Sequence, residues 1–183
     1  MPDARYDFLS DMRTQFAKLR AMAEQAMAQV GDHDFARTVD AENNSIAIIV
    51  KHISGNLRSR CTAFLTSDGE KPDRDRDGEF VLQASDTRAH LSSEWAAAWD
   101  LLASTVEALN PEDVQRTIHI RAEPHAVGQA LTRHLGHLAY HVGQIVLLAR
   151  HWVGSEWRTL SIPRGQSRAF ARAKLRHSHG NSA

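Results

Sequence analysis

Apolar residues recur along this chain in four long stretches, and steps of three and four residues dominate within each. The first, Asp3 to Val30, puts Phe8, Met12, Phe16, Leu19, Ala23 and Ala26 on one helical face, and Gly31-Asp32 supplies a stop. The second begins at the capping types Asn43, Asn44 and Ser45 and runs through Ile46, Ile49, Ile53, Leu57 and Cys61 to Phe64. The third starts at Asp86 or Thr87 and carries Leu91, Trp95, Trp99, Leu102 and Val106 before Asn110-Pro111 ends it near Leu109. The fourth has Pro124 in its first turn and a stripe through Leu131, Leu135, Leu138, Val142, Ile145 and Ala149, ending near Trp152 before Gly154.

Two connections differ from these stretches. SDGEKPDRDRDGEF, Ser67 to Phe80, is rich in breakers and alternating charge, which predicts a loop that caps an end of the fold. Val114 to Ala122 alternates over part of its length, which suits a short strand. Four amphipathic helices of about 23 to 29 residues, each about 35 to 44 Å long, most simply form an all-α four-helix bundle. Long connections permit a crossover topology. The expected division is a bundle over residues 1–168 and a basic tail over 169–183.

Composition narrows the function. With 183 residues the chain suits one domain with a real core. A single cysteine, Cys61, excludes an internal disulfide framework and suits a reducing compartment. The N-terminal segment lacks an apolar signal core and no apolar run reaches membrane-spanning length, so the expectation is a cytoplasmic protein without a membrane partner. Acidic and basic residues balance at 22 each, but the last acid is Glu156, and six positive residues from Arg158 to Arg176 follow it. No nucleic-acid motif accompanies them, so only weak, salt-sensitive DNA binding is expected. Submicromolar affinity at physiological salt, lost on truncation after Ile162, would contradict that.

Eleven histidines are many for this length, and three lie close together in the fourth helix: His134, His137 and His141. His137 and His141 are one turn apart on one face, the spacing that places two imidazoles on one metal ion. On a helical wheel the three fall about 60° to 120° from the core stripe, on its shoulder. His52 lies about 120° from the stripe of the second helix. Two facing shoulders would join His52, His137 and His141 into a three-histidine site with a position left open, the usual form of a catalytic zinc site. The zincin base is missing, because Leu138 follows His137. Gln144 and Asn56 are placed to hydrogen-bond near such a site, Tyr140 faces away from the stripe, and Cys61, Trp95 and Trp99 are core residues.

Two segments carry a family resemblance. HLAYHVGQIVLLAR, His137 to Arg150, resembles the end of the DinB or YfiT-like superfamily, and NNSIAIIVKHISGNLRSR, Asn43 to Arg60, resembles its second helix. With GEKPDRDRDGEF and WRTLSIPRGQS, the chain is similar over about residues 5 to 168 to a bacterial DinB-like subfamily of unknown function. The resemblance implies a four-helix bundle with one divalent metal on His52, His137 and His141. It also implies kinship with transferases and isomerases that use bacillithiol, mycothiol or glutathione. One departure is Val142, where relatives commonly carry arginine.

Two functions follow as expectations. One is a metal-dependent enzyme, a thiol-dependent transferase or hydrolase-like, acting on a small molecule and possessing one divalent ion. Zinc is the default, with nickel, iron and manganese as alternatives, since imidazoles discriminate poorly. The other is a non-catalytic metal-binding or stress-related protein. The apolar run Trp95 to Trp99 makes more than one face of the third helix apolar, which favours a homodimer through bundle helices. Light scattering should give a dimer mass at tens of micromolar; a monomer would favour cover from within the chain.

Overall fold

Ser45, a predicted capping residue, and Thr87, a predicted helix start, both cap helices. The computed structural model describes residues 7–180, with side chains as far as Ala173. Ser45 accepts from the Ile48 N–H at 3.2 Å and opens α3, Ile46–Cys61. Thr87 does the same for His90 at 3.2 Å and opens α4, Arg88–Glu107. Asp7 caps α1, Phe8–Met27, through Ser10. A single turn, α2, Asp32–Phe35, lies in the connection that follows. The longest helix, α5, spans Val127–Val153 and ends at Gly154, whose φ of 61° is costly for any other residue. A last helix, α6, covers Ser167–Gly180 within the basic segment. Asp3 to Tyr6 of the predicted first helix and the last three residues of the tail lie outside the described residues.

The predicted four-helix core is present as α1, α3, α4 and α5, in an all-α bundle with one small hairpin. Contacts between side chains fix its topology. Arg13 and Arg20 of α1 pair with Glu107 and Asp100 of α4, so those helices are antiparallel. Lys51 and Arg58 of α3 pair with Asp86, just before α4, and Glu94 within it, so those two are parallel. The ring of His134 meets Phe16 of α1, while His137 further along α5 meets His52 of α3. Each helix packs chiefly on two neighbours, α1 on α5 and α4, α3 on α4 and α5. The chain therefore crosses the bundle diagonally twice, as long connections allow. Ile46, Ile49, Ile53, Leu57, Leu138 and Ile145 fill the centre. Trp95 and Trp99 are buried with ring centroids 5.2 Å apart, as core residues. Among the described residues, no helix is long and apolar enough to cross a membrane.

Several predicted boundaries differ from the structure. The first helix ends at Met27 rather than Val30. Of the predicted strand Val114 to Ala122 only Thr117–Ile120 is extended, Val114 and Gln115 lying in a 3-10 turn. The second helix stops at Cys61 rather than Phe64, because Ala63 turns into the left-handed region at φ 49°. Pro124 does not open the fourth helix. It lies in β2, Glu123–Ala126, which pairs antiparallel with β1, Thr117–Ile120. Ile120 and Glu123 close a two-residue turn, so the next pair, His119 and Pro124, is of the non-hydrogen-bonded kind, and the missing N–H of proline costs nothing there. Arg121 and Ala122 both adopt positive φ in that turn. Asp68 holds it, accepting from the N–H groups of Arg121 at 2.8 Å and Ala122 at 2.7 Å. Hydrogen bonds from the N–H groups of Glu70, Ala122 and Arg121 push the Asp68 carboxyl down to about 2. The Ser67–Phe80 loop is thereby tied to the hairpin and lies over one flank of α3.

Candidate metal centre

His52 is only 3% exposed, more buried than a shoulder position suggests. The cause is the charged loop, whose final 3-10 turn, Gly78–Phe80, packs on α3. Phe80 places its ring 4.7 Å from that of His52. Glu79, itself buried, accepts a hydrogen bond from His52 Nδ1 at 2.8 Å. Arg74 clamps the same carboxylate with Nε and Nη2, both at 2.8 Å, and its side chain is only 5% exposed. Burial opposes the Glu79 charge, but hydrogen bonds from His52 and Arg74 outweigh it and hold the carboxyl below its ordinary range.

Gly55, one turn after His52 on α3, is what lets the loop approach. A Cβ there would collide with Glu79 Oε1 and fall 2.7 Å from its Cδ. The carboxylate is pinned by Arg74 and His52 and has nowhere to swing. Glycine to alanine inside a helix normally stabilises by about 1 kcal/mol. Gly55→Ala is expected to reverse that sign and cost about 1–3 kcal/mol, read by urea unfolding. A stabilised variant would show that the loop is not held there.

The predicted ligands come together. His137 and His141 on α5 face His52 on α3, with ring centroids 5.3 Å and 4.9 Å from it and 4.7 Å from each other. Their ligand atoms all lie within 4.8 Å of one another, close enough to hold a metal ion. His52 Nε2 and His137 Nε2 are 3.3 Å apart. Tetrahedral zinc with Zn–N bonds of 2.0–2.1 Å sets its nitrogens about 3.3–3.4 Å apart, so this spacing fits. The outer nitrogens are held as such a site requires. His52 Nδ1 donates to Glu79, and His141 Nδ1 donates to Gln144 Oε1 at 2.8 Å, which leaves Nε2 of each ring as the inward ligand atom. No fourth histidine, cysteine or acid joins the group among the described residues.

His137 and His141 are poised in the neutral form that binds metal. Burial pushes His137 down to about 4, helped by the positive fields of His141 and His52. Burial also lowers His141, against the hydrogen bond to Gln144. His134 is half-buried, with its Nε2 enclosed and its ring against Phe16; loss of solvent pushes it down to about 3, and it stays outside the ligand group, as expected. These folded values lie below the ordinary 6.5, so the unfolded chain takes protons first. Metal-free protein should hold its stability above about pH 6.5 and lose it as pH falls from there towards 4. Urea unfolding across that window checks this; a flat profile would contradict the burial of neutral imidazoles.

A cavity of about 390 Å³ opens beside the triad, between α3, α5, the charged loop and the hairpin. Asn56, Phe80 and Tyr140 line it together with the three histidines. Tyr140 is 62% exposed, a surface residue as expected, at the rim of this cavity. Cys61 lies elsewhere in the core, with its thiol pushed up to about 12 by burial, unsuited to nucleophilic chemistry at neutral pH.

Sequence reasoning found the three histidines and Gln144 but missed Glu79 and Arg74. Their legible trace was Gly55, a helix-interior glycine near His52, where a close approach was to be expected. No curated protein matches the chain. A family model described as "Protein of unknown function (DUF1572)" matches residues 3–166, nearly the whole bundle and its hairpin, and the chain belongs to that family.

Proposed function

We propose that this protein is a metal-dependent enzyme of the DinB-like superfamily, with one divalent ion on His52, His137 and His141 and a position left open towards the cavity. The observation that carries this is the orientation of two rings. Both give their Nδ1 hydrogens to side-chain oxygens, of Glu79 and Gln144, and so aim Nε2 at one point under an open cavity. A site built only to stiffen the fold needs no such cavity and ordinarily has a fourth protein ligand. Zinc is the default for three imidazoles and an open position; nickel, iron and manganese are the alternatives.

A divalent cation held there supplies Lewis acidity and favours an anionic group such as a thiolate next to it. The chain's own residues do the rest. Glu79 and Gln144 fix the ring planes of His52 and His141. Phe80 covers one face of His52 and limits solvent there. Tyr140 places a hydroxyl at the rim, where a small molecule would enter. The superfamily resemblance favours transfer or isomerisation with a low-molecular-weight thiol as co-substrate. The test is zinc-loaded protein incubated with bacillithiol, mycothiol or glutathione and an aryl halide, following loss of free thiol. Metal-dependent turnover with one thiol, lost in His137→Ala, is expected. Absence of turnover with all three, on protein that carries its metal, would set the thiol chemistry aside.

A further inference from the structure

We propose that the arginine-rich end of this cavity is an anion subsite that binds the carboxylate or phosphate group of the substrate. Calling the ligand a substrate rests on the metal-centre reading; the subsite itself does not. Arg60, Arg74, Arg76, Arg121 and Arg133 all line the cavity, and no carboxylate does.

The arginines are not neutralised by what surrounds them. Arg74 is fully engaged by Glu79 and Glu70. Glu70 is then shared with Arg60 at 3.0 Å and Arg121 at 3.1 Å, one carboxylate for three guanidinium groups. No carboxylate pairs with Arg133 among the described residues, and Arg76 has only the fully exposed Asp77 at 3.9 Å. Five positive charges thus face two close negative ones, the buried Glu79 and the half-buried Glu70. His134, which also lines the cavity, is neutral at pH 7 and does not alter that balance.

Arg60 is also deeply placed, with a side chain only 12% exposed. Its Nη1 is buried without a hydrogen-bond partner, a donor that a built site would otherwise satisfy. Burial lowers its pKa, and the positive fields of Arg74, Arg121 and Arg133 add to that against the pull of Glu70. An anion bound here relieves repulsion that the fold otherwise holds in place.

Position gives the ligand a shape. His52 meets His137 and His141, while Arg60 and Cys61 line a small pocket with Ala130 and Leu131 nearer the start of α5, so α3 and α5 run antiparallel. Arg60, eight residues after His52, and Arg133, four residues before His137, are therefore displaced in the same direction from the triad. Those offsets are about 12 Å and 6 Å along the helix axes, before the side chains lean back. Arg121 reaches the same end from the hairpin turn that Asp68 fixes. The fitting ligand is a small molecule with its reacting group at the triad and an anionic group one to two helical turns away.

Calorimetric titration of inorganic phosphate and of succinate tests this, on zinc-loaded and on chelator-stripped protein, with zinc content measured in each sample. Arg133→Gln and Arg121→Gln alter exposed side chains, and of the two only Arg121 gives up an ion pair among the described residues, its half-exposed one with Glu70. Each is expected to weaken anion binding about tenfold. Arg58→Gln, an exposed arginine outside the cavity, removes the same charge and should leave affinity within about twofold. Arg-dependent anion binding in stripped protein, with no zinc taken up on reloading, would keep the subsite and refute the metal. Normal zinc content with anion affinity unchanged in Arg121→Gln and Arg133→Gln would overturn the subsite and leave the metal centre intact.

Discussion

Glu79→Ala is expected to lower the unfolding free energy of the metal-free protein by about 3–5 kcal/mol. The two partners are 8% and 5% exposed, so removing the acid leaves the Arg74 guanidinium buried beside Glu70 alone. The same change frees His52 Nδ1, whose ring then loses its fixed orientation. Metal affinity should fall about 10–100-fold, the usual cost of losing an outer carboxylate behind a ligating histidine. Glu79→Gln separates the effects: it keeps an oxygen for His52 but discards the charge that Arg74 needs. It should retain more metal affinity than stability. A loss below about 1 kcal/mol for Glu79→Ala would mean that Arg74 escapes to water and that the loop is not anchored through this pair.

Divalent metal should stabilise the fold, by about 4 kcal/mol at a thousandfold excess over its Kd. Alanine at His52, His137 or His141 should remove most of that increment, because two imidazoles alone hold a metal far more weakly. His134→Ala provides the contrast. It opens a hole beside Phe16 and lowers stability, yet the increment on adding metal should remain. Thermal unfolding with and without added zinc distinguishes the two patterns. Equal increments in wild type and His137→Ala would remove His137 from the site.

How much of this was legible follows from what periodicity encodes. The helices and their caps were readable because Ser45, Thr87 and the apolar stripes act within a few residues of themselves. The triad was readable because a four-residue step puts His137 and His141 on one face, and the shoulder of α3 offered His52 as the counterpart. Pro124 misled because proline suits a helix start and an unpaired strand position equally well, and only the Asp68 contact to Arg121 and Ala122 fixes the hairpin that decides between them. The burial of His52 was not readable, since it depends on where a charged loop folds back. In SDGEKPDRDRDGEF nothing marks Glu79 and Arg74 apart from the other charges. Their pairing is set by the space that Gly55 leaves on a different element. Likewise Arg60 and Arg121 look like surface charges until antiparallel α3 and α5 and the hairpin bring them to one cavity.

X-ray absorption on protein loaded with one equivalent of zinc tests the metal centre most directly. The expected spectrum has three imidazole nitrogens and one further light atom from solvent, at about 2.0–2.1 Å, and the imidazole signal collapses in His137→Ala. A sulfur scatterer, a fourth imidazole, or an imidazole count unchanged in that variant would contradict a three-histidine site with an open position.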